Sequence, residues 1–245
     1  LNGILSKGFI KIAHAKKKQC VGILRLDLIV LLHQRRFFCF FLGRQSEILV
    51  MANLHFLAKH NPYLWHMRKW TMEELNRLST AAFKAAPKTN IVLVLDNIRS
   101  RNNVGAIFRT ADAFRIAEIV LCGITPTPPH KDIHKTALGA TESVAWRQEN
   151  TAAEVVAKLR EAGAECYAVE QVKGAVFLDQ VTAAPNKTLV LVIGNEVQGV
   201  SQEVIDACGA AIEIPQLGTK HSLNVATSAG VVLWHFFTQL RPTAH

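Results

Sequence analysis

The sequence lacks the cysteine patterns of a disulfide-bonded protein. Its five cysteines are odd in number and include no C-x-x-C pair, so a disulfide framework is not expected. Cys122 and Cys166 lie in apolar runs that have the composition of strands. We therefore expect reduced, buried thiols and a cytoplasmic protein.

The chain also lacks an apolar run long enough to cross a membrane. Residues 21–43 are the most apolar stretch, but charged residues interrupt them and leave fragments well short of the roughly 20 residues that a spanning helix needs. The interrupting residues are Arg25, Asp27, Arg35 and Arg36. No small-residue cleavage site follows, so neither a membrane anchor nor a secretory signal is expected.

A surplus of positive charge is missing from most of the chain, although the net charge is +9. Residues 1–66 carry ten Lys or Arg and two acidic residues, which leaves 18 basic against 17 acidic residues in the rest. We interpret residues 1–66 as a basic and apolar extension, either a mis-started translation upstream of Met51 or Met67 or a disordered arm. The alternative is a basic amphipathic arm that touches RNA or a membrane surface. Residues 67–245 are then the functional domain.

Apolar runs that do not alternate with polar residues predict an α/β fold. Such runs are typical of strands that are buried on both faces of a parallel sheet. A first helix is predicted from Thr71, which has the capping-box spacing to Glu74, to about Ala86. The predicted strands are 91–95, 119–122, 165–169, 188–193 and 211–214, with a further short strand at 143–147, and the predicted helices are 104–114, 151–162, 201–208 and 223–240. The fold class is a mostly parallel sheet flanked by helices.

Three segments repeat the order of strand, polar loop and helix. They read LDNIRSRNNVGAIFRTADAF (95–114), LVLVIGNEVQGVS (189–201) and IEIPQLGTKHSLNVATSAGVVLWHFF (212–237). Ligands of open α/β sheets bind beyond the carboxyl ends of the strands, where all three loops fall. The loops lack the Lys-Ser/Thr of a phosphate loop and the G-x-G-x-x-G of a dinucleotide site, so neither ATP nor NAD is supported.

In this order and spacing, the three segments resemble the signature motifs of the SpoU/TrmH family of RNA ribose methyltransferases, within the SPOUT superfamily. The resemblance extends over about residues 67–240 and implies a C-terminal trefoil knot, which the composition could not indicate. It implies transfer of a methyl group from S-adenosylmethionine to a ribose 2′-hydroxyl of tRNA or rRNA. The family commonly has a glycine where this chain has Arg115.

The resemblance also implies the site residues. The expected catalytic residues are Asn103, Arg109, Glu196, Ser222 and Asn224. The cofactor-binding residues are expected in the loops 193–199 and 214–223, at Ile193, Gly194, Asn195, Gly199, Ile214, Gln216, Leu217 and Leu223. Clustered basic residues are the candidates for RNA contacts: Arg99, Arg101, Lys131 and Lys135.

Structural alternatives remain open for most of these residues. Asn103, Ser222 and Asn224 could be helix caps, and Glu196 could only neutralise an arginine. His130 and His134 are four residues apart, but the glutamate of a zinc helix and a third ligand are missing, so no metal is expected. The rival function is a catalytically silent RNA-binding or assembly protein that retains the fold.

The last predicted helix is apolar nearly all round, which predicts a partner subunit. A helix of this kind must be covered on more than one side. The resemblance implies pairing through this helix and the first-motif helix, with the first motif of one chain close to the cofactor of the other. We expect a two-fold homodimer, which a charge at Val232 would disrupt.

Overall fold

The computed structural model describes residues 68–242, and the predictions for residues 1–66 lie outside them. Residues 72–242 fall within one compact unit. Its strands are β1 (Thr89–Asp96), β2 (Ile116–Cys122), β3 (Trp146–Glu149), β4 (Glu165–Val169), β5 (Val176–Phe177), β6 (Leu189–Ile193) and β7 (Ala211–Glu213). Its helices are α1 (Thr80–Ala85), α2 (Arg101–Ala113), α3 (Lys131–Ala137), α4 (Ala140–Ser143), α5 (Ala152–Glu161), α6 (Gln202–Cys208) and α7 (Val225–Leu240).

The strands form one sheet in the order β3-β2-β1-β6-β4-β7-β5, and every neighbouring pair is parallel. The chain builds β1, β2 and β3 toward one edge and then places β4 and β7 on the other side, with β6 between β1 and β4. The direction of winding therefore reverses around β1, β6 and β4. A ligand crevice is expected beyond the carboxyl ends of strands at such a reversal.

Both faces of the sheet are buried, which explains the absence of alternation in the sequence. Ile91, Leu93 and Leu95 of β1 pack in one apolar cluster with residues of α2, α3 and α7. Val92 and Val94 pack in a second cluster with residues of α5 and α6. The predicted fold class is confirmed, while the trefoil knot stays a prediction.

Polar side chains at the helix starts set several element boundaries. The hydroxyls of Ser100 and Thr151 accept backbone N–H groups of α2 and α5, and the Asn224 side chain does the same for α7. Each cap replaces a backbone partner that the first turn of a helix lacks. The helices α2, α5 and α7 begin at these caps, and they and α6 are found within a few residues of their expected bounds.

The first predicted helix is wrong over most of its length. Residues 72–76 form turns that end at Asn76 with φ 44°, and only Thr80–Ala85 is helical. The Ser79 hydroxyl accepts the N–H of Ala82 and so starts the helix eight residues after Thr71. The short strand predicted at 143–147 lies at Trp146–Glu149, because Ala140–Ser143 is helical. The short elements α3, α4 and β5 were not predicted.

The structure gives Val232 a different environment from the expected one and explains the departure at Arg115. Val232 is 0% exposed and belongs to the core of its own chain, so it is not a surface probe of a subunit contact. The exposed apolar residues of α7 are Val231 and Trp234, at 38% and 56% exposure. Arg115 has φ 48°, a left-handed conformation that glycine adopts at no steric cost.

Within residues 68–242, no helix has the length and apolar content to cross a membrane.

Candidate active site

Glu196 ties the loop after β6 to the start of α2. Its carboxylate oxygens accept the backbone N–H groups of Arg99 and Ser100, both at 2.9 Å, and the side-chain amide of Asn103 at 3.0 Å. Partial burial alone would raise the pKa of Glu196. The hydrogen bonds from the N–H groups of Arg99, Ser100 and Glu196 itself and from the Asn103 amide outweigh it and lower the pKa below its ordinary value. The carboxylate is thus held ionised at the positive end of a helix.

Asn103 extends this contact to the third loop. Its side-chain oxygen accepts the Asn224 amide at 3.2 Å. The Asn224 oxygen in turn accepts the N–H groups of Ala226 and Thr227 at 2.9 and 3.3 Å, which caps α7. Glu196, Asn103 and Asn224 therefore form a continuous chain of hydrogen bonds across the loops after β6, β1 and β7.

The loop after β6 folds back on itself. Asn195 and Gly199 exchange two backbone hydrogen bonds at 3.0 and 2.9 Å, and the Asn195 side-chain oxygen accepts the N–H groups of Val197 and Gln198. The Asn195 amide also donates to the Asn97 carbonyl at 2.7 Å, which joins this loop to the end of β1. A Cβ atom at Gly194 would overlap the backbone of Gly199 and Val200, so the turn requires glycine there.

The loops enclose a cavity of about 550 Å³ at the carboxyl edge of the sheet. Seven of the eight expected cofactor-binding residues line it, namely Ile193, Gly194, Asn195, Gly199, Ile214, Gln216 and Leu223. Leu217 does not line the cavity and projects fully into solvent. Glu196, Ser222 and Asn224 line it as well. The same cavity is thus lined by most of the expected cofactor-binding residues and by three of the expected catalytic residues.

Arg109 lies apart from this cavity. It is exposed on α2 and does not line the cavity, and its guanidinium makes no hydrogen bond or ion pair with any residue of the described part of the chain. A guanidinium in this state is available to a group outside the chain. Exposed basic residues lie at the start of α2 and on α3, and the two helices meet where the Thr136 hydroxyl in the last turn of α3 donates to the Asn102 carbonyl of α2 at 3.1 Å. These residues are Arg99, Arg101, Lys131 and Lys135.

The structure shows which of the candidate site residues also serve as helix caps. Ser100, not Asn103, caps α2, and Ser222 caps no helix, whereas Asn224 both caps α7 and contacts Asn103. Glu196 binds N–H groups rather than an arginine side chain. The imidazole of His130 caps α3 by accepting the Asp132 N–H at 3.2 Å. Across residues 68–242, no group of three or more His, Cys, Asp or Glu side chains is placed to hold one metal ion.

Sequence reasoning missed Glu170 and Gln171, which follow β4 directly and line the cavity. The Glu170 carboxylate accepts the Val200 N–H at 2.8 Å, and the Gln171 amide donates to the His221 carbonyl at 3.0 Å. These two residues join the loop after β4 to the loops after β6 and β7. The rule that sites lie beyond strand ends places them in a candidate region, since Glu165–Val169 was predicted as a strand, but it does not single them out.

Substitution of Gly199 tests how the cavity loop is held. Gly199 has φ 70°, and a Cβ atom there would overlap the Glu170 carboxylate. Gly174 has φ 87°, but a Cβ atom there would meet no atom within 4 Å. We expect Gly174→Ala to cost about 1–2 kcal/mol from backbone strain, and Gly199→Ala to cost more because Glu170 must also move. Urea unfolding of both variants measures the difference, and equal losses would contradict this account of the loop.

The parallel sheet, its reversal at β6 and the cavity built from strand-following loops define an α/β protein with a ligand site at the carboxyl edge. The family model described as the SpoU rRNA Methylase family matches residues 90–234. The 23S rRNA (guanosine-2′-O-)-methyltransferase RlmB of Nitrosomonas europaea is 33% identical over 150 residues, which cover 61% of this chain and 56% of that protein.

Solved structures give the same result. The AdoMet-bound rRNA methyltransferase from Sinorhizobium meliloti aligns with a TM-score of 0.56 and 28% identity, over 62% of this chain and 58% of that one. The TrmH/SpoU tRNA modifying enzyme of A. aeolicus aligns with a TM-score of 0.56 and 26% identity, over 62% of this chain and 76% of that one. The chain belongs to the SpoU rRNA Methylase family, as its motifs predicted. The match to RlmB spans little more than half of that protein.

Proposed function

We propose that this protein transfers a methyl group from S-adenosylmethionine to a ribose 2′-hydroxyl of RNA, in tRNA or rRNA. The observation that carries the proposal is the hydrogen-bonded chain of Glu196, Asn103 and Asn224 at the cavity of the family's signature loops. The named relatives that act on RNA support it. A fold retained only for binding would have no chemical need for this set of residues.

The cavity fits S-adenosylmethionine in size and charge. Its volume of about 550 Å³ lies within the usual range for small-molecule sites. Ile193, Ile214 and Leu223 offer apolar surface for an adenine ring, and the turn from Gly194 to Gly199 offers backbone groups. Among the described residues that line it, none is Lys or Arg. A lining without cations suits a ligand that carries a sulfonium and an ammonium group.

When bound, S-adenosylmethionine would supply the methyl group to the ribose oxygen, with its sulfur keeping the electron pair of the broken S–CH₃ bond and the hydroxyl proton released to a base. The protein aligns the hydroxyl and stabilises the charge that develops on its oxygen. We assign charge stabilisation to Arg109, whose guanidinium has no hydrogen-bond or ion-pair partner in the described chain. Asn103, Glu196 and Asn224 fix the loops around it, and Ser222 lines the same cavity.

The RNA is proposed to lie across the start of α2 and along α3. Arg99, Arg101, Lys131 and Lys135 are exposed there, and none forms an ion pair within the described residues. Unpaired surface cations are suited to phosphate contacts, which position an RNA without reading its sequence. The backbone of the target is therefore held beside the first-motif loop, in reach of Arg109 on the same helix.

We also propose a homodimer with shared active sites. Phe114 at the end of α2 stacks on Phe237 of α7, with ring centroids 5.0 Å apart, and Trp234 lies 5.8 Å from Phe114 with 56% of its surface exposed. Exposed aromatic clusters of this kind are typical of subunit contacts. Since Arg109 does not reach the cavity of its own chain, pairing through α2 and α7 would bring it to the partner's cavity.

Residues 67–245 are proposed as the methyltransferase domain, acting in the cytoplasm. The direct test incubates the purified chain with RNA and S-adenosylmethionine labelled in its methyl group, and then digests the RNA to nucleosides. Label in 2′-O-methylated nucleosides is expected. RNA binding without any transfer would favour the silent binding protein. Comparing ribose methylation in a deletion strain with its parent then identifies the nucleotide.

The cofactor is expected to bind without a metal ion. Every group proposed to hold it is a backbone group, an amide, a hydroxyl or an apolar side chain, so a chelator should leave the affinity unchanged. Calorimetric titration of the protein with S-adenosylmethionine, with and without EDTA, measures this. Loss of binding in EDTA would contradict a cofactor site that needs no metal ion.

A further inference from the structure

Glu170 is the carboxylate of the cavity whose position the family motifs do not include. It follows β4, and its own N–H donates to the Ile212 carbonyl of β7 at 3.0 Å, which fixes its backbone beside the sheet. One carboxylate oxygen accepts the Val200 N–H at 2.8 Å and the other accepts the Gln171 N–H at 2.9 Å. The absence of a side chain at Gly199 leaves the space that the carboxylate occupies.

The two carboxylates of the cavity differ in how their charge is balanced. Glu196 accepts three hydrogen bonds at the start of α2, a helix of 13 residues whose positive end offsets the charge. Glu170 accepts one N–H group from each of two loops. Of the remaining lining residues that the structure describes, only His221 is ionisable. The negative charge of Glu170 is therefore the less compensated of the two.

We infer that Glu170 makes the cavity favour the cationic sulfonium cofactor over the neutral thioether that remains after methyl transfer. The inference rests on the proposed function and adds a determinant of ligand charge to it. Both ligands share the adenosine and amino-acid groups and differ by one methyl group and one positive charge. A fixed carboxylate attracts the first more strongly than the second, and a partly enclosed cavity screens this attraction less than open solvent does. The same charge then promotes release of the product.

Glu170→Gln separates the charge from the hydrogen bond. The glutamine side-chain oxygen can still accept the Val200 N–H, whereas its NH2 group cannot accept the Gln171 N–H and the negative charge is removed. Loss of that hydrogen bond would affect all three ligands alike, so the effect of the charge is the difference between them. Three ligands are titrated calorimetrically into the full chain: S-adenosylmethionine, S-adenosylhomocysteine, and sinefungin, which carries an amine in place of the sulfonium. We expect the two cationic ligands to bind about three- to tenfold more weakly to Glu170→Gln, with the affinity for the thioether changed less than about twofold.

Two further variants control for loop damage and for net charge. Glu170→Asp keeps the charge on a shorter side chain, so the preference for cationic ligands should persist even where all affinities fall. Glu161→Gln removes an exposed carboxylate at the end of α5, outside the cavity lining, and should change no affinity. Circular dichroism and thermal unfolding confirm that each variant is folded.

The outcomes separate this inference from the proposed function. Equal weakening of all three ligands in Glu170→Gln, or no weakening of any, overturns the charge preference while the cofactor assignment stands. Loss of the preference in Glu170→Asp overturns it as well. Failure of the wild-type chain to bind S-adenosylmethionine overturns the proposed function, and the inference with it.

Discussion

Replacing Arg109 with alanine is expected to abolish methyl transfer while cofactor affinity stays within a few fold of the wild-type value. Removal of a single group that stabilises charge in a transition state commonly lowers kcat by about 100- to 1000-fold. Arg109 does not line the cavity, and its side chain makes no hydrogen bond or ion pair with the described residues, so the cofactor loops should keep their arrangement. Methyl incorporation into RNA and calorimetric titration with S-adenosylmethionine give the two quantities.

Arg101→Ala is the matched control, because it removes an exposed arginine from the start of the same helix. Loss of a phosphate contact should weaken RNA binding and reduce its salt dependence, with kcat at saturating RNA nearly unchanged. If Arg109→Ala only weakened RNA binding in the same way, Arg109 would be another phosphate contact. Near wild-type turnover by Arg109→Ala would remove it from the mechanism altogether.

The sheet could be predicted from the sequence because strands that are buried on both faces consist of apolar residues without polar alternation. Leu189–Ile193 contains only apolar residues, and all five are buried in the structure. The stretch from Thr71 to Ala86 contains no comparable apolar pattern. Glu74 has the capping-box spacing, yet Phe83 is the only buried residue of the helix that forms there. With so little apolar surface to pack, local turn formation at residues 72–76 prevails over helix propensity.

The site could be predicted only in part, since motif spacing identifies residues without showing their partners. Nothing in the sequence indicates that Glu196 accepts the N–H groups of Arg99 and Ser100, which lie 97 and 96 residues earlier. Glu170 follows a predicted strand, but a single carboxylate at that place carries no signal of its own. Only the packing of β4 beside β6 brings it to the Val200 N–H.

Helix α7 shows a similar limit. Its sequence predicts more apolar surface than one face of a helix needs, but not which residues face the core. In the structure, Val232, Leu233 and Phe236 are buried within the chain. Val231 and Trp234 are exposed, and Trp234 joins Phe114 and Phe237 in an aromatic cluster. The surface left for a partner is therefore narrower than the sequence suggested, and it lies where α7 meets the end of α2.

A glutamate at Trp234 is expected to convert a homodimer into folded monomers that are inactive. The substitution removes a large aromatic surface and places a charge at the proposed contact, where burial would be strongly unfavourable. Light scattering at micromolar concentration should give about twice the chain mass for the wild type and the mass of one chain for Trp234→Glu. Val232→Glu would not serve, because an unpaired carboxylate in the core would unfold the chain itself.

Ala157→Glu is the matched control, since Ala157 is exposed on α5, which packs on the opposite face of the sheet. This variant should stay dimeric and active. A second test mixes chains that carry Arg109→Ala with chains that carry Gly199→Ala, once calorimetry has shown that displacement of Glu170 leaves the Gly199→Ala cavity unable to bind S-adenosylmethionine. If each active site combines Arg109 of one chain with the cavity of the other, mixed dimers contain one intact site and regain part of the activity. A fully active Trp234→Glu monomer would refute both the dimer and the shared site, and Arg109 would then have to act on an RNA held by its own chain alone.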